Sequence, residues 1–184
     1  MPLLAHVLTP AGPIPTAQDP DGVYPYESFA ETSHRPVLKE YRFIDLENDH
    51  IRATICPGLG GKVYALYHKK SGKDVLYTAP VVRPVRILPR MAYIGGGIEV
   101  SFPISHTPVQ IESVLFDVGE YGERAYVWCG EREIRFGMYW TVEYSLGPDD
   151  TFLTQRTCFR NPTRTARPWM SWSNAGVPAC PDTE

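Results

Sequence analysis

A chain of 184 residues has the length of one globular domain, and folding would bury about two-thirds of the surface of its unfolded form. Its 18 basic and 21 acidic residues give a net charge of -3, so the chain as a whole carries no positive potential that would attract nucleic acid or an anionic membrane. We therefore expect neither of these partners.

The N-terminal stretch MPLLAHVLTPAG indicates a cytoplasmic protein. It lacks the basic region of a signal peptide and contains Pro2 and Pro10. No later run approaches the roughly 18 apolar residues that a membrane span requires. We expect a soluble protein of the cytoplasm.

The cysteines and histidines show no metal-binding pattern. The cysteines form no C-x-x-C pair, and the histidines form neither H-x-H nor H-E-x-x-H. We expect buried free thiols, no metal site and no other cofactor. The cysteines are Cys56, Cys129, Cys158 and Cys180.

Residues 1–36 contain seven prolines, and their apolar residues follow neither helical nor strand periodicity. This composition predicts an extended arm over 1–36, held to the surface by Tyr24, Tyr26 and Phe29, and a β-sandwich domain over 37–184.

From residue 40 onward the apolar residues recur at every second position, which is typical of strands. The pattern predicts strands at HIRATIC (50–56) and KVYALYH (62–68), separated by the PGLGG turn. The segment KKSGKD (69–74) has the composition of a second hairpin turn.

The longest alternating run is EIRFGMYWTVEYSL (133–146), which predicts one long strand. Its expected partners are RAYVWCG (124–130), joined by a turn at Gly130, and TFLTQRTCFRN (151–161), joined by GPDD (147–150). No window has helical periodicity, so we expect an all-β fold, an antiparallel β-sandwich.

The stretch GGGIEVSFPISH (95–106) holds the strongest candidate for chemistry. Strand alternation predicts that Glu99 and Ser101 share one face, with His106 in the loop that follows Pro103. A carboxylate beside an imidazole can divide the work of proton transfer. The alternative is structural, with Glu99 paired to an arginine of the 83–90 segment and His106 capping a loop.

Two further groups of residues are candidates for ligand binding. PWMSWSNAG (168–176) places Trp169 and Trp172 beside Asn174, which suits saccharide recognition but equally suits core packing. The arginines of VRPVRILPR (82–90) could bind a ligand anion or lie on a solvated edge strand; they are Arg83, Arg86 and Arg90.

Three blocks of the chain, at 46–80, 95–108 and 172–183, resemble the DUF5107 family in their order and spacing. The resemblance implies a galactose-mutarotase-like (aldose 1-epimerase-like) β-supersandwich that holds a sugar on a concave face, with Glu99 and His106 as the catalytic pair. It also implies that the mutarotase half carrying a further carboxylate is absent. We therefore expect a sandwich that is incomplete at its C-terminus, which a homodimer could complete.

Two functions follow as hypotheses. The first is a carbohydrate-active enzyme that isomerises a sugar in the manner of a mutarotase, or cleaves a glycoside with Glu112 or Asp117 as a second carboxylate. The second is a non-catalytic carbohydrate-binding or scaffold module. The predicted substrate-binding residues are Gly96, Gly97, Ser101, Arg90, Trp172 and Asn174.

Overall fold

The computed structural model describes residues 1–13, 24–86, 92–104 and 106–179. The strands of the N-terminal half are β1 Pro2–Ala5, β2 Leu8–Gly12, β3 Ser28–Thr32, β4 Val37–Glu40, β5 Ile44–Glu47, β6 Ile51–Cys56, β7 Lys62–His68 and β8 Lys73–Asp74. They are followed by β9 Val81–Val82, β10 Val85–Arg86, β11 Ala92–Tyr93, β12 Gly97–Ser101, β13 Leu115–Tyr121, β14 Arg124–Arg132, β15 Tyr139–Leu146, β16 Thr154–Arg160 and β17 Trp172–Gly176. A single 3-10 turn, Pro57–Leu59, is the helical element of the described part.

Two antiparallel sheets form the sandwich. One has the order β17-β12-β7-β6-β5, with β8 beside β7, and the other has the order β13-β14-β15-β16. Their facing side chains form the main core, because alternate residues of each strand point inward. The predicted all-β, antiparallel sandwich is confirmed. Fully buried members of this core include Ala53, Ile55, Val63, Phe102, Val127, Trp140, Val142 and Tyr144.

The opposite face of the six-stranded sheet is covered by the N-terminal segment. β1 pairs with β4 in antiparallel fashion and with the short β9 in parallel, and a second cluster packs beneath them, with Ala5, Tyr41, Tyr64 and Ile94 among its members. The predicted boundary after residue 36 stays a prediction: β1 and β4 lie on either side of it.

The predicted anchors of the N-terminal segment differ in their burial. Tyr26 is buried and its hydroxyl accepts the backbone N–H of Ile134, while Tyr24 is about half exposed. Phe29, on β3, is partly buried.

The predicted strand over 133–146 is wrong for its first six residues, because β15 begins only at Tyr139. The buried carboxylate of Glu133 accepts the backbone N–H groups of Arg135, Phe136 and Met138, which closes residues 133–138 into a turn. The predicted turn at Gly130 is therefore also wrong, since Gly130 lies inside β14. The expected pairings of β15 with β14 and β16 are confirmed.

Of the cysteines, Cys56 and Cys129 are buried free thiols as expected, but Cys158 is exposed on β16. The physical reason is that β16 is an edge strand whose alternate side chains face solvent. Cys180 lies outside the described residues. Within the described ranges, no helix is long and apolar enough to cross a membrane.

Candidate functional site

The candidate site lies on β12, between β7 and β17. Glu99 pairs directly with Asn174 across the β12–β17 ladder, and Ser101 pairs with Trp172. Directly opposed residues in an antiparallel pair project to the same face, so these four side chains lie together on the face away from the main core. The predicted separation of Glu99 and Ser101 from the inward-facing Val100 is confirmed.

Glu99 is a buried carboxylate, only 3% exposed, and one of its oxygens collects several donors. Oε1 lies 2.5 Å from His106 Nδ1, 2.7 Å from Asn174 Nδ2 and 3.3 Å from the hydroxyl of Ser101. The second oxygen, Oε2, is buried without a hydrogen-bond partner in the described part of the chain. The carboxylate is therefore fixed in orientation and sealed from solvent.

His106 follows the strand and turns back over Glu99. Its backbone φ of 53° is in the left-handed region, which is uncommon for a residue other than glycine. The ring is wedged between Tyr93, at a centroid distance of 4.9 Å, and Trp172, at 5.8 Å, both meeting it edge to face. The side chain is 15% exposed, and because Nδ1 is held by Glu99, Nε2 is the ring nitrogen left for a ligand.

The glycines before β12 are required by the backbone. Gly96 and Gly97 have φ values of +80° and +66°. A Cβ atom at Gly96 would overlap the carbonyl oxygen of Tyr77, and one at Gly97 would overlap that of Val63. These glycines let β12 approach its neighbours closely. Their predicted contact with a substrate stays a prediction.

A buried lysine lies beneath this glycine turn. Lys62 Nζ donates to the carbonyl oxygens of Ile94 at 2.5 Å and Gly96 at 2.7 Å, and lies 6.0 Å from the ring centroid of Tyr93. Burial lowers the pKa of Lys62 to about 8, and the charge of Glu99 acts in the opposite direction. Burial, followed by the charge of Glu99, raises the pKa of Tyr93, so its phenol stays neutral at physiological pH.

Sequence analysis missed Lys62 and Tyr93 as members of the site. Strand alternation marks apolar positions, and a lysine at the start of a strand looks like an ordinary solvated residue. The one signal for Lys62 in the sequence is its position directly after the PGLGG turn, because a glycine-rich turn lets another backbone segment approach closely.

The remaining candidates are placed elsewhere. Trp169 packs on Phe102 and Phe159, at centroid distances of 5.9 Å and 5.1 Å, so it covers the core side of the sheet rather than the Glu99 face. Asp117 lies exposed on β13 of the other sheet. Arg90 lies outside the described residues.

Comparison with known proteins gives two findings. The family model of a domain of unknown function, DUF5107, matches residues 18–184. A TPR-domain containing protein from Parabacteroides distasonis ATCC 8503, known from its crystal structure, is similar to this chain, with 59% sequence identity and a TM-score of 0.93. The match covers 99% of this chain and 32% of the solved one, so this chain spans about a third of that protein's length.

Proposed function

The chain belongs to the DUF5107 family, and we propose that this domain is a carbohydrate-active protein that binds a sugar at the Glu99–His106 site and transfers protons on it. The observation that carries the proposal is the short contact between the buried Glu99 carboxylate and His106 Nδ1, which leaves Nε2 as the ring nitrogen for a ligand. We place the fold among the galactose-mutarotase-like supersandwiches as part of the same proposal.

The roles of the pair follow from their exposure. Glu99 is sealed and its Oε1 already accepts three hydrogen bonds, so it acts through the imidazole as a positioning residue. It fixes the ring orientation and the tautomer with a proton on Nδ1. His106 is then the catalytic residue, because its Nε2 can touch the substrate.

Aromatic and amide groups supply the sugar contacts in this proposal. Trp172 and Tyr93 flank His106, and aromatic rings pack well against the C–H surfaces of sugars. Asn174 and Ser101 hold the carboxylate, so their part in binding is indirect.

Ring opening is the sugar reaction that this arrangement suits best. His106 Nε2 takes the proton of the anomeric hydroxyl while the bond between C1 and the ring oxygen breaks. The ring oxygen gains a proton from water, and the hydroxide that remains takes the proton from the His106 imidazolium. Reclosure reverses these transfers on either face. Glycoside cleavage needs a second carboxylate across the sugar, roughly 5 to 10 Å away. Among the described residues, Glu112 interacts with the charges of Glu27 and Glu131, and no contact joins it to Glu99 or His106, so glycoside cleavage stays the less favoured variant of the proposal.

The test is the rate of anomer interconversion on a panel of hexoses and pentoses, followed by NMR exchange spectroscopy, with glycoside cleavage measured in parallel. We expect His106→Ala to lose about a hundredfold or more of the rate. Glu99→Gln should lower kcat while leaving KM within about twofold, because it touches no substrate. His34→Ala, an exposed histidine, is the matched control and should behave as wild type.

A non-catalytic sugar-binding module is the second candidate, and the saturation of Glu99 Oε1 together with the burial of Oε2 favours it. Sugar binding with no turnover in wild type, and weakened binding in Trp172→Ala, would decide for the module. Absence of any sugar binding would rule out both candidates.

We propose that the protein acts in the cytoplasm and as a homodimer. A cytoplasmic location fits a free intracellular sugar as substrate. In the part of the chain that the structure describes, no strand pairs with the outer edge of β17, and a second copy that completes the sheet there is the proposed homodimer.

A further inference from the structure

An open cavity of about 470 Å³ lies next to the candidate site, within the range of roughly 300 to 1,000 Å³ that is typical of ligand pockets. Tyr93 belongs to both: it lines the cavity, and its ring packs on His106 at 4.9 Å. The cavity therefore borders the candidate site at the ring of Tyr93.

The wall of the cavity is mostly apolar, with few polar side chains. Tyr77, Pro80 and Tyr93 contribute rings, while Arg83 and His6 contribute the ionisable nitrogens. Among the described residues that line it, none is an aspartate or glutamate. Within the part of the chain that the structure describes, Arg83 is exposed and has no ion-pair partner.

His6 offers a second polar contact. Its Nδ1 lies 2.6 Å from the carbonyl oxygen of Ser33. A carbonyl oxygen only accepts, so Nδ1 carries the hydrogen and Nε2 is left for a ligand hydroxyl or acid group.

We propose that this cavity is a subsite for an anionic group, a carboxylate or a phosphate, carried by the sugar that binds at His106. Arg83 binds the anion through its planar guanidinium, and the rings of Tyr77 and Tyr93 pack on the body of the ligand. The inference deepens the proposed function and rests on it: the substrate class is an acidic sugar, not a neutral one.

The experiment compares binding of neutral and anionic sugars by isothermal titration calorimetry. The probes are glucose and galactose, their uronates, and their 6-phosphates. The protein variants are wild type, Arg83→Gln and, as the matched control, Arg160→Gln, an exposed arginine on β16. Comparing uronates with 6-phosphates identifies which anion the subsite takes.

We expect one anionic class to bind wild type about tenfold more tightly than its neutral parent. Arg83→Gln should remove that preference and leave neutral binding unchanged, while Arg160→Gln should keep it. Equal affinity for neutral and anionic sugars in wild type, or the same loss in both arginine variants, would overturn the subsite and leave the sugar site standing.

His106→Ala separates the subsite from the proposed function, because His106 is the residue that touches the sugar. If anion binding depends on Arg83 but His106→Ala does not alter it, the subsite is supported and the sugar site at His106 is wrong. If no neutral or anionic sugar binds at all, both proposals fail together.

Discussion

Lys62 carries a positive charge in a place where charges are costly. Lys62 is 3% exposed, and among the described residues its ammonium donates to two backbone carbonyls of the loop that leads into β12. By holding Ile94 and Gly96, Lys62 fixes the segment that carries Tyr93, and Tyr93 in turn packs on His106. The lysine therefore links the glycine turn to the candidate acid–base pair.

The lowered pKa of Lys62 predicts a pH dependence of stability. The pKa of Lys62 is about 8 in the folded protein, whereas its ordinary pKa, which applies to the unfolded chain, is 10.5. Between these two pH values the unfolded chain therefore binds more protons than the folded protein. Stability from this group consequently rises with pH from about 8 to 10.5. The free energy of unfolding of wild type relative to Lys62→Met should increase by about 3 kcal/mol across that window.

Urea unfolding of both proteins at several pH values from 7 to 11 measures this difference. Groups with raised pKa values that do not interact with Lys62, such as the Tyr64 phenol at about 12, lower stability with rising pH in both proteins and cancel in the comparison. Lys73→Met, at an exposed position on β8, is the control and should show no such trend. A difference that stays constant with pH would mean that Lys62 is not desolvated.

The elements around the site divide into those that alternation predicts and those that it does not. β6, β7 and β12 each have one face toward the main core, so their period of two marks them in the sequence. The turn at 133–138 keeps the same alternation through Ile134 and Phe136. These residues form a turn and not a strand because the carboxylate of Glu133 accepts backbone N–H groups. The alternation of apolar residues in the sequence carries no information about such a contact.

β12 depends on the glycine at its start, and Gly97→Ala tests that dependence. An alanine there would adopt a positive φ and push its Cβ against the Val63 carbonyl oxygen. Gly122, in the β13–β14 hairpin, has a similar φ of +58° but nothing within 4 Å of a built Cβ. Both variants place an alanine at a positive φ and so share the backbone strain. The difference between their losses of stability therefore measures the overlap of the new Cβ atom at residue 97 with its neighbours.

We expect Gly122→Ala to cost about 1 kcal/mol, and Gly97→Ala about 2 kcal/mol more. Thermal or urea unfolding measures the cost. Two-dimensional NMR of the Trp172 indole should also show a shift in Gly97→Ala, because β12 carries Glu99 and Ser101 against β17. Equal costs in the two variants would show that β12 does not need a close approach to β7.

In the molecule as a whole, the two sheets meet through apolar packing and through a few polar contacts at their ends. The facing residues of the sandwich could be predicted from alternation, but the partner of each turn could not, since sequence does not show which loops meet. Asn48 is such a case: it lies in the β5–β6 turn and reaches the β15–β16 turn of the opposite sheet.

Asn48 acts on both turns, and two substitutions separate its roles. Its Oδ1 accepts the backbone N–H groups of His50 and Ile51, each at 2.9 Å, while its Nδ2 donates to the carbonyl oxygens of Gly147 and Asp150, each at 2.8 Å. Asn48→Asp keeps the acceptor and loses both donors, whereas Asn48→Ala loses everything. The aspartate variant therefore reports on the contact between the sheets, through the two lost hydrogen bonds and the repulsion between the new carboxylate and the two carbonyl oxygens.

Because each lost hydrogen bond costs about 1 kcal/mol, Asn48→Asp should lower the free energy of unfolding by roughly 2 kcal/mol, and Asn48→Ala by more. Asn161→Asp is the matched control: among the described residues, the hydrogen bonds of Asn161 stay within its own exposed loop, to Thr163 and Thr165, so the loss of stability should stay within about 0.5 kcal/mol. Hydrogen exchange should report faster opening of both turns in Asn48→Asp, since one side chain joins them. If Asn48→Asp were as stable as wild type, apolar packing alone would hold this end of the sandwich together.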